Sequence, residues 1–333
     1  SKLAKVAFNK GIKTLNEYSF ANDILLESIE LPDSLTTIKS YSFSNCCNLK
    51  EVKTTENTSL IEIFKGSFEN TKIESLAVNR NAKKLFEPTC VPFLNSITFC
   101  KGKPTNFIQN QSGLIFESIK NKPSFYTLLF APKKLDKLQI NKNCFCFSKG
   151  LLDDMNNLEK IEVTKEVTDI CIYEFPSFNN LRSKVKEIRI NSKSSTLGEN
   201  IFSYFNSLEI VEFNSKMTNL KIFKHAFLSC PNLCKVKIPC SCVSIGEGAF
   251  KNCIKLEDVE IDSKSSIEVI KKEAFYNCSS LSSIVIPSSV AMIEEASFMN
   301  CSKLEKVEID EKSELKTIQK NAFRNCTSLT SFV

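Results

Sequence analysis

Apolar positions recur along this chain on two periods at once. Over a few residues the period is two: Val259-Glu260-Ile261 and Val307-Glu308-Ile309 alternate buried and open positions, the pattern of a short strand with one covered face. Over longer distances a phenylalanine returns at Phe202, Phe227, Phe250, Phe275, Phe298 and Phe323, with spacings of 25, 23, 25, 23 and 25 residues. Phe20, Phe43 and Phe68 begin the same series. Six residues after the phenylalanine comes a leucine, as at Leu233, Leu256, Leu281 and Leu304. Nine and eleven residues after it come two more aliphatics, Val236 and Ile238, Val259 and Ile261, Ile284 and Ile286.

The two spacings differ in the turn after the strand. The short form carries a proline, as in "LPDSLTTI" and "IPSSVAMI"; the long form, "IDSKSSIEVI", is proline-free. Proline ends the ladder and presets a turn. Both forms then place an isoleucine five residues before the next phenylalanine. Stretches such as "KKEAFYNC" are too short for a full helix and are expected to form one or two helical turns. One such unit cannot cover its own apolar edge, whereas stacked units can, because each phenylalanine meets its equivalent in the neighbour. The expected architecture is a solenoid with short parallel strands on one face and turns on the other.

Residues 1–333 are therefore expected to form a single solenoid, with regular repeats over 1–99 and 163–333 and irregular variant units over 100–162. Within the irregular part, residues 113–132 read as two apolar strands around an Asn-Lys-Pro-Ser turn, a hairpin. "LFEPTCVPF" and the units around Phe147 and Phe175 also depart from the repeat. The pattern is already running at Val6 and Phe8 and still running in "CTSLTSFV", so the chain reads as a fragment of a longer one.

Composition narrows the chemistry. A net charge of +6 from 44 basic and 38 acidic residues, well mixed, is an ordinary solvated surface without a nucleic-acid stripe. Six of the 15 cysteines (Cys46, Cys230, Cys253, Cys278, Cys301 and Cys326) follow the repeat phenylalanine by three. That column reads as small, soft, reduced core filler, and neither its spacing nor the nearly absent histidine suits a metal site. The asparagine before the cysteine, as at Asn252 or Asn277, is expected to bond local backbone, as asparagine does in turns. His225, the only histidine, falls at a variable slot and is expected to be a surface residue. No phosphate-binding loop motif occurs. No catalytic residue, metal, cofactor or small-molecule substrate is assigned.

What remains is the open strand face, where solenoids commonly bind. Two outward side chains per strand tile it. The candidate protein-binding residues are Lys160, Glu162, Glu187, Arg189, Lys235, Lys237, Asp258, Glu260, Lys306 and Glu308. Lys235 and Lys237 read as a basic spot beside acidic Asp258 and Glu260, a mixed face suited to a protein partner rather than to nucleic acid or another polyanion. Sequons occur at Asn57, Asn110, Asn277, Asn300 and Asn325; the first two fall in expected loops.

"AFKNCIKLEDVEI", "SLSSIVIPSSVAMIEEASFMNCSKLEKVEI" and "NAFRNCTSLTSFV" resemble the BspA-like leucine-rich repeats, also called the Treponema pallidum-type repeat. They are similar to surface antigens of parasitic protozoa and to bacterial surface adhesins. "GLIF…LLFAP" resembles the hairpin-bearing variant unit of that family. The resemblance implies an α/β leucine-rich-repeat solenoid with its strands on a concave face, irregular and short helical turns opposite, and a central hairpin insertion. It further implies a cell-surface or extracellular adhesin or antigen that binds host, matrix or partner-cell proteins, without enzyme activity. Family members often span a membrane, so it implies attachment through segments absent from this chain. The alternative is a cytoplasmic scaffold or cytoskeleton-associated repeat protein.

Overall fold

The structure is a computed structural model. It describes residues 3–85, 91, 93–100, 102–119, 122–140, 144–147, 155–165, 167, 184–192, 196–214, 217–310 and 312–333. The unit expected around Phe175 and most of "LFEPTCVPF" lie outside the described residues. The chain divides into two compact units, one of residues 1–135 and 147–156, the other of 136–146 and 157–333.

From Glu187 to Ile318 of the second unit each turn of chain contributes two short parallel strands, and the strands stack into two ladders. One ladder runs Lys137–Ile140, Lys160–Val163, Glu187–Ile190, Ile210–Phe213, Lys235–Ile238 and Asp258–Ile261. Ser283–Ile286, Lys306–Ile309 and Ser331–Phe332 form a further three-stranded sheet of the same kind. Equivalent residues of successive units pair in register, Val236 with Val259 and Ile284 with Val307. The other ladder runs Thr196–Leu197, Leu220–Ile222, Cys242–Ile245, Val269–Ile270, Met292–Ile293 and Thr317–Ile318. The isoleucine five residues before each phenylalanine is thus a strand residue, Ile270 pairing with Ile293 and Ile293 with Ile318.

The first unit repeats this plan on a smaller scale. Leu15, Ile38 and Ile63 form one ladder, and Ile29 with Val52 and Leu76 with Ile97 form pairs of the other. Beyond them Ile115–Ile119 pairs antiparallel with Lys122–Phe130, and Phe107–Gln109 pairs antiparallel with Ile115–Ile119.

The stretch around the phenylalanine corrects the expectation of helical turns. None of the described residues is helical. The backbone is left-handed two residues before and two residues after each phenylalanine: Glu273 and Asn277 have φ of 54° and 58°, and Gly248 and Asn252 have 56° and 63°. A helix needs an unbroken run of right-handed residues bonding along the chain. Here the phenylalanine N–H instead donates to the next unit, Phe250 to Ala274 O and Phe275 to Ser297 O, each at 2.8 Å. The lateral bond replaces the helical one, so the fold is a parallel-strand β-solenoid rather than an α/β repeat.

The left-handed slot also explains the asparagine, which visits that region more readily than other non-glycine residues. Its amide does not bond local backbone, as the sequence suggested. It bonds the equivalent amide one unit back: Asn45 donates to Asn22 at 3.1 Å, Asn70 to Asn45 at 2.8 Å and Asn325 to Asn300 at 2.8 Å.

Inside, the phenylalanines form continuous files. Phe227, Phe250, Phe275, Phe298 and Phe323 stack with centroid separations of 5.2–5.4 Å and nearly parallel rings. Phe20, Phe43 and Phe68 do the same at 5.3 Å. Each offset stacked pair adds about 0.5–1.5 kcal/mol beyond the area it buries. Leu233, Leu256, Leu281 and Leu304 are fully buried beside the file, as are Cys230, Cys253, Cys278 and Cys301.

Candidate protein-binding face

The alternation that buries Ile161, Ile188, Val236 and Val259 turns their strand neighbours outward. On the first ladder of the second unit this creates two rows of side chains. One row reads Lys137, Lys160, Glu187, Ile210, Lys235, Asp258; the other reads Gln139, Glu162, Arg189, Glu212, Lys237, Glu260. Lys306 and Glu308 occupy the same positions on Lys306–Ile309. All ten residues singled out in the sequence therefore lie on outward strand positions.

Their charges are used within the molecule. Glu162 is half-buried under the Lys137 ammonium and also accepts from Gln139 Nε2 and Asn191 Nδ2, both at 2.8 Å. The Lys137 contact, assisted by the two amides, holds its carboxyl below the usual carboxylate range. Glu187 is not open: only 8% of its surface is exposed. Lys160 reaches it at 2.9 Å and the Arg189 guanidinium covers its other oxygen while also reaching Glu212 at 3.0 Å. The Lys160 contact is the main cause that lowers the Glu187 pKa. Lys137, Lys160, Glu162, Glu187 and Arg189 enclose a cleft of about 100 Å³.

Further along, Lys235 bridges Asp258 at 2.7 Å and Glu260, and Lys237 reaches Glu260 at 3.3 Å. The Asp258 contact raises the Lys235 pKa, and the Lys235 contact lowers that of Glu260. Lys306 pairs with Glu308 at 2.8 Å. The basic spot read from Lys235 and Lys237 is thus neutralised by its acidic neighbours one turn on. Two apolar side chains stand among these charges, Ile210 and Val285, 44% and 42% exposed.

Sequence reasoning missed Lys137, Gln139 and Asn191, which complete the environment of Glu162. The signal was present: Lys137-Leu138-Gln139-Ile140 carries the same alternation as Lys160–Val163, 23 residues earlier. It was hidden because it sits in the stretch read as irregular.

His225 has φ of 56° and packs against Gly248, where an added Cβ would come within 2.5 Å of its ring. Burial, then the neighbouring Lys224, lowers its pKa. Among the described residues no cluster of three or more His, Cys, Asp or Glu is placed to hold a metal ion, and no helix is long and apolar enough to cross a membrane.

The repeat family described as the BspA type leucine rich repeat region matches in six copies over residues 1–91, 124–257 and 220–333. A leucine-rich repeat protein from Bacteroides ovatus is similar over 96% of this chain and 82% of its own, at 17% identity and a TM-score of 0.51. One from Eubacterium ventriosum is similar over 90% and 83%, at 18% identity and a TM-score of 0.51. A leucine-rich cell surface protein from Faecalibacterium prausnitzii, 18% identical with a TM-score of 0.34, is covered over 62% of its length by 95% of this chain. For the two with a TM-score of 0.51, at these identities, the likeness is one of fold. No curated protein matches the sequence significantly.

Proposed function

This chain belongs to the BspA-type leucine-rich-repeat family, and on that premise we propose that it is a non-catalytic protein-binding module displayed at a cell surface. The observation that carries this reading is the strand face itself. Parallel strands in strict register hold two side chains per turn at fixed spacing, and lateral ion pairs from Lys137 to Glu260 tie those side chains in place. A preordered array of mixed charge with exposed Ile210 and Val285 among it suits a protein surface, which needs apolar anchors inside a polar rim. The proposed contact residues are Lys160, Glu162, Arg189, Lys235, Lys237, Asp258, Glu260, Lys306 and Glu308, with Glu187 supporting Lys160 and Arg189 from beneath. The surface location rests on the resemblance to surface adhesins and antigens of the same repeat type.

The test uses the whole chain, immobilised, against intact cells and solubilised surface proteins. Saturable binding that weakens in an Ile210→Asp, Val285→Asp variant is the expected result. No binding at micromolar concentration, or binding indifferent to those substitutions, would overturn the reading. A cytoplasmic scaffold or cytoskeleton-associated protein is the second reading. It is favoured by the thiols of Cys47, Cys234 and Cys240, which are free and exposed, a state typical of a reducing compartment. Glycan at Asn57 or Asn110 in native material would exclude it.

A further inference from the structure

On the turn edge that joins the second ladder to the phenylalanine file, the two units treat lysine differently. In the second unit four lysines of this edge are matched to a carboxylate one turn on: Lys224 to Glu247 at 3.1 Å, Lys251 to Glu273 at 2.6 Å, Lys271 to Glu294 at 3.2 Å and Lys272 to Glu295 at 3.2 Å. In the first unit the same edge carries Lys39 and Lys65, with Lys84 bridged to Glu62 in the next turn. Among the described residues none of these three forms an ion pair. Glu62, whose backbone pairs with that of Lys84, forms no ion pair with these ammonium groups and instead accepts from Thr37 Oγ1 at 3.4 Å.

Two of the three lysines are held by an aromatic ring. Lys39 and Lys84 sit over the ring of Phe64, at 4.6 and 4.2 Å from its centroid. The ring holds two ammonium groups near each other without neutralising either. Beside them Tyr18 and Tyr41 stack at 5.2 Å with rings 9° from parallel, and Tyr18 is 60% exposed. The Tyr41 ring lies flat because Gly66 is beneath it: a Cβ there would come within 2.4 Å of the ring. Ordered aromatic faces and unneutralised lysines thus share one edge.

We propose that this edge of the first unit, built from Lys39, Lys65, Lys84, Phe64, Tyr18 and Tyr41, docks an acidic, extended segment of a partner protein. Carboxylates of that segment replace the partners these lysines lack, and its apolar groups lie on the tyrosine rings. The inference rests on the protein-binding reading but assigns a different surface from the strand face. A peptide is favoured over a lipid headgroup or a sulfated polysaccharide because the edge offers aromatic faces together with only a few point charges.

The experiment measures binding of a short fluorescein-labelled oligoglutamate to the full chain by anisotropy. Binding that weakens with salt, and weakens about tenfold in a Lys39→Gln, Lys65→Gln, Lys84→Gln variant, is expected. A Lys224→Gln, Lys271→Gln, Lys272→Gln variant should bind as the wild type does. Equal loss in both variants, or no loss in the first, overturns the assignment. So does binding of heparin or phosphatidylserine vesicles with no binding of the peptide. If cells are still captured through Ile210 and Val285 while oligoglutamate is ignored, this surface fails and the strand-face reading stands.

Discussion

The thiol of Cys278 donates to the carbonyl oxygen of Phe250, one turn back, at 3.2 Å. The same oxygen accepts the backbone N–H of Cys253, also at 3.2 Å. Both lone pairs of a buried carbonyl are thereby satisfied, one within the turn and one between turns. Cys253 to Phe227, Cys301 to Phe275 and Cys326 to Phe298 repeat the contact at 3.1–3.3 Å. The cysteine column is a hydrogen-bonded element of the stack, not only a filler.

Two buried thiols, Cys46 of this column and Cys242 outside it, should make stability fall in mild alkali. Burial pushes the Cys46 thiol up to about 11 and the Cys242 thiol up to about 12. Unfolded thiols ionise near pH 8.5–9. Between that pH and the native value the unfolded chain has released protons that the folded chain retains, so rising pH favours unfolding, by up to about 1.4 kcal/mol per pH unit for each such thiol. The urea midpoint should drop between pH 9 and 10, and drop less in a Cys46→Ala, Cys242→Ala variant; a flat midpoint would contradict the burial of these groups.

Phe275 stacks on Phe250 and Phe298 and is fully buried. Phe275→Ala should cost about 3–5 kcal/mol, since it opens a cavity with neighbours fixed on both sides. Phe275→Leu should cost less. Chemical denaturation of both variants reads the difference.

Asn277, with φ of 58°, separates two explanations of the asparagine slot. If the left-handed backbone dictates the residue, Asn277→Gly should change stability by less than about 1 kcal/mol, whereas Asn277→Val should lose about 1–2 kcal/mol. Equal losses would instead assign the slot to the amide ladder, in which Asn277 donates to Asn252 at 3.1 Å.

Glu187→Gln should destabilise by about 1–2 kcal/mol at neutral pH, because it removes the charge from a largely covered group shared by Lys160 and Arg189. Its native pKa is lowered, so the contribution is present above the ordinary carboxylate range and disappears as pH falls through the native value. Wild type and variant should converge in acid. A constant gap down to pH 2 would show that the loss is steric.

The stacking of units was fixed by the sequence alone. A phenylalanine, a leucine and two alternating aliphatics recurring every 23 or 25 residues can be covered only by their own equivalents, and the files from Phe20 to Phe68 and from Phe202 to Phe323 follow from that. So do the outward positions of Lys160, Glu162, Lys235 and Glu260, because side chains alternate along a strand. Tertiary structure decided what local pattern leaves open. "KKEAFYNC" has the composition of a helical turn, but lateral backbone bonds to the next unit outweigh bonding along the chain and select left-handed residues at Glu273 and Asn277. Lys235 and Lys39 are alike as isolated residues. One meets Asp258 across a ladder and the other, among the described residues, meets an aromatic ring and no carboxylate, since charge pairing depends on which residue the next turn delivers at the same height.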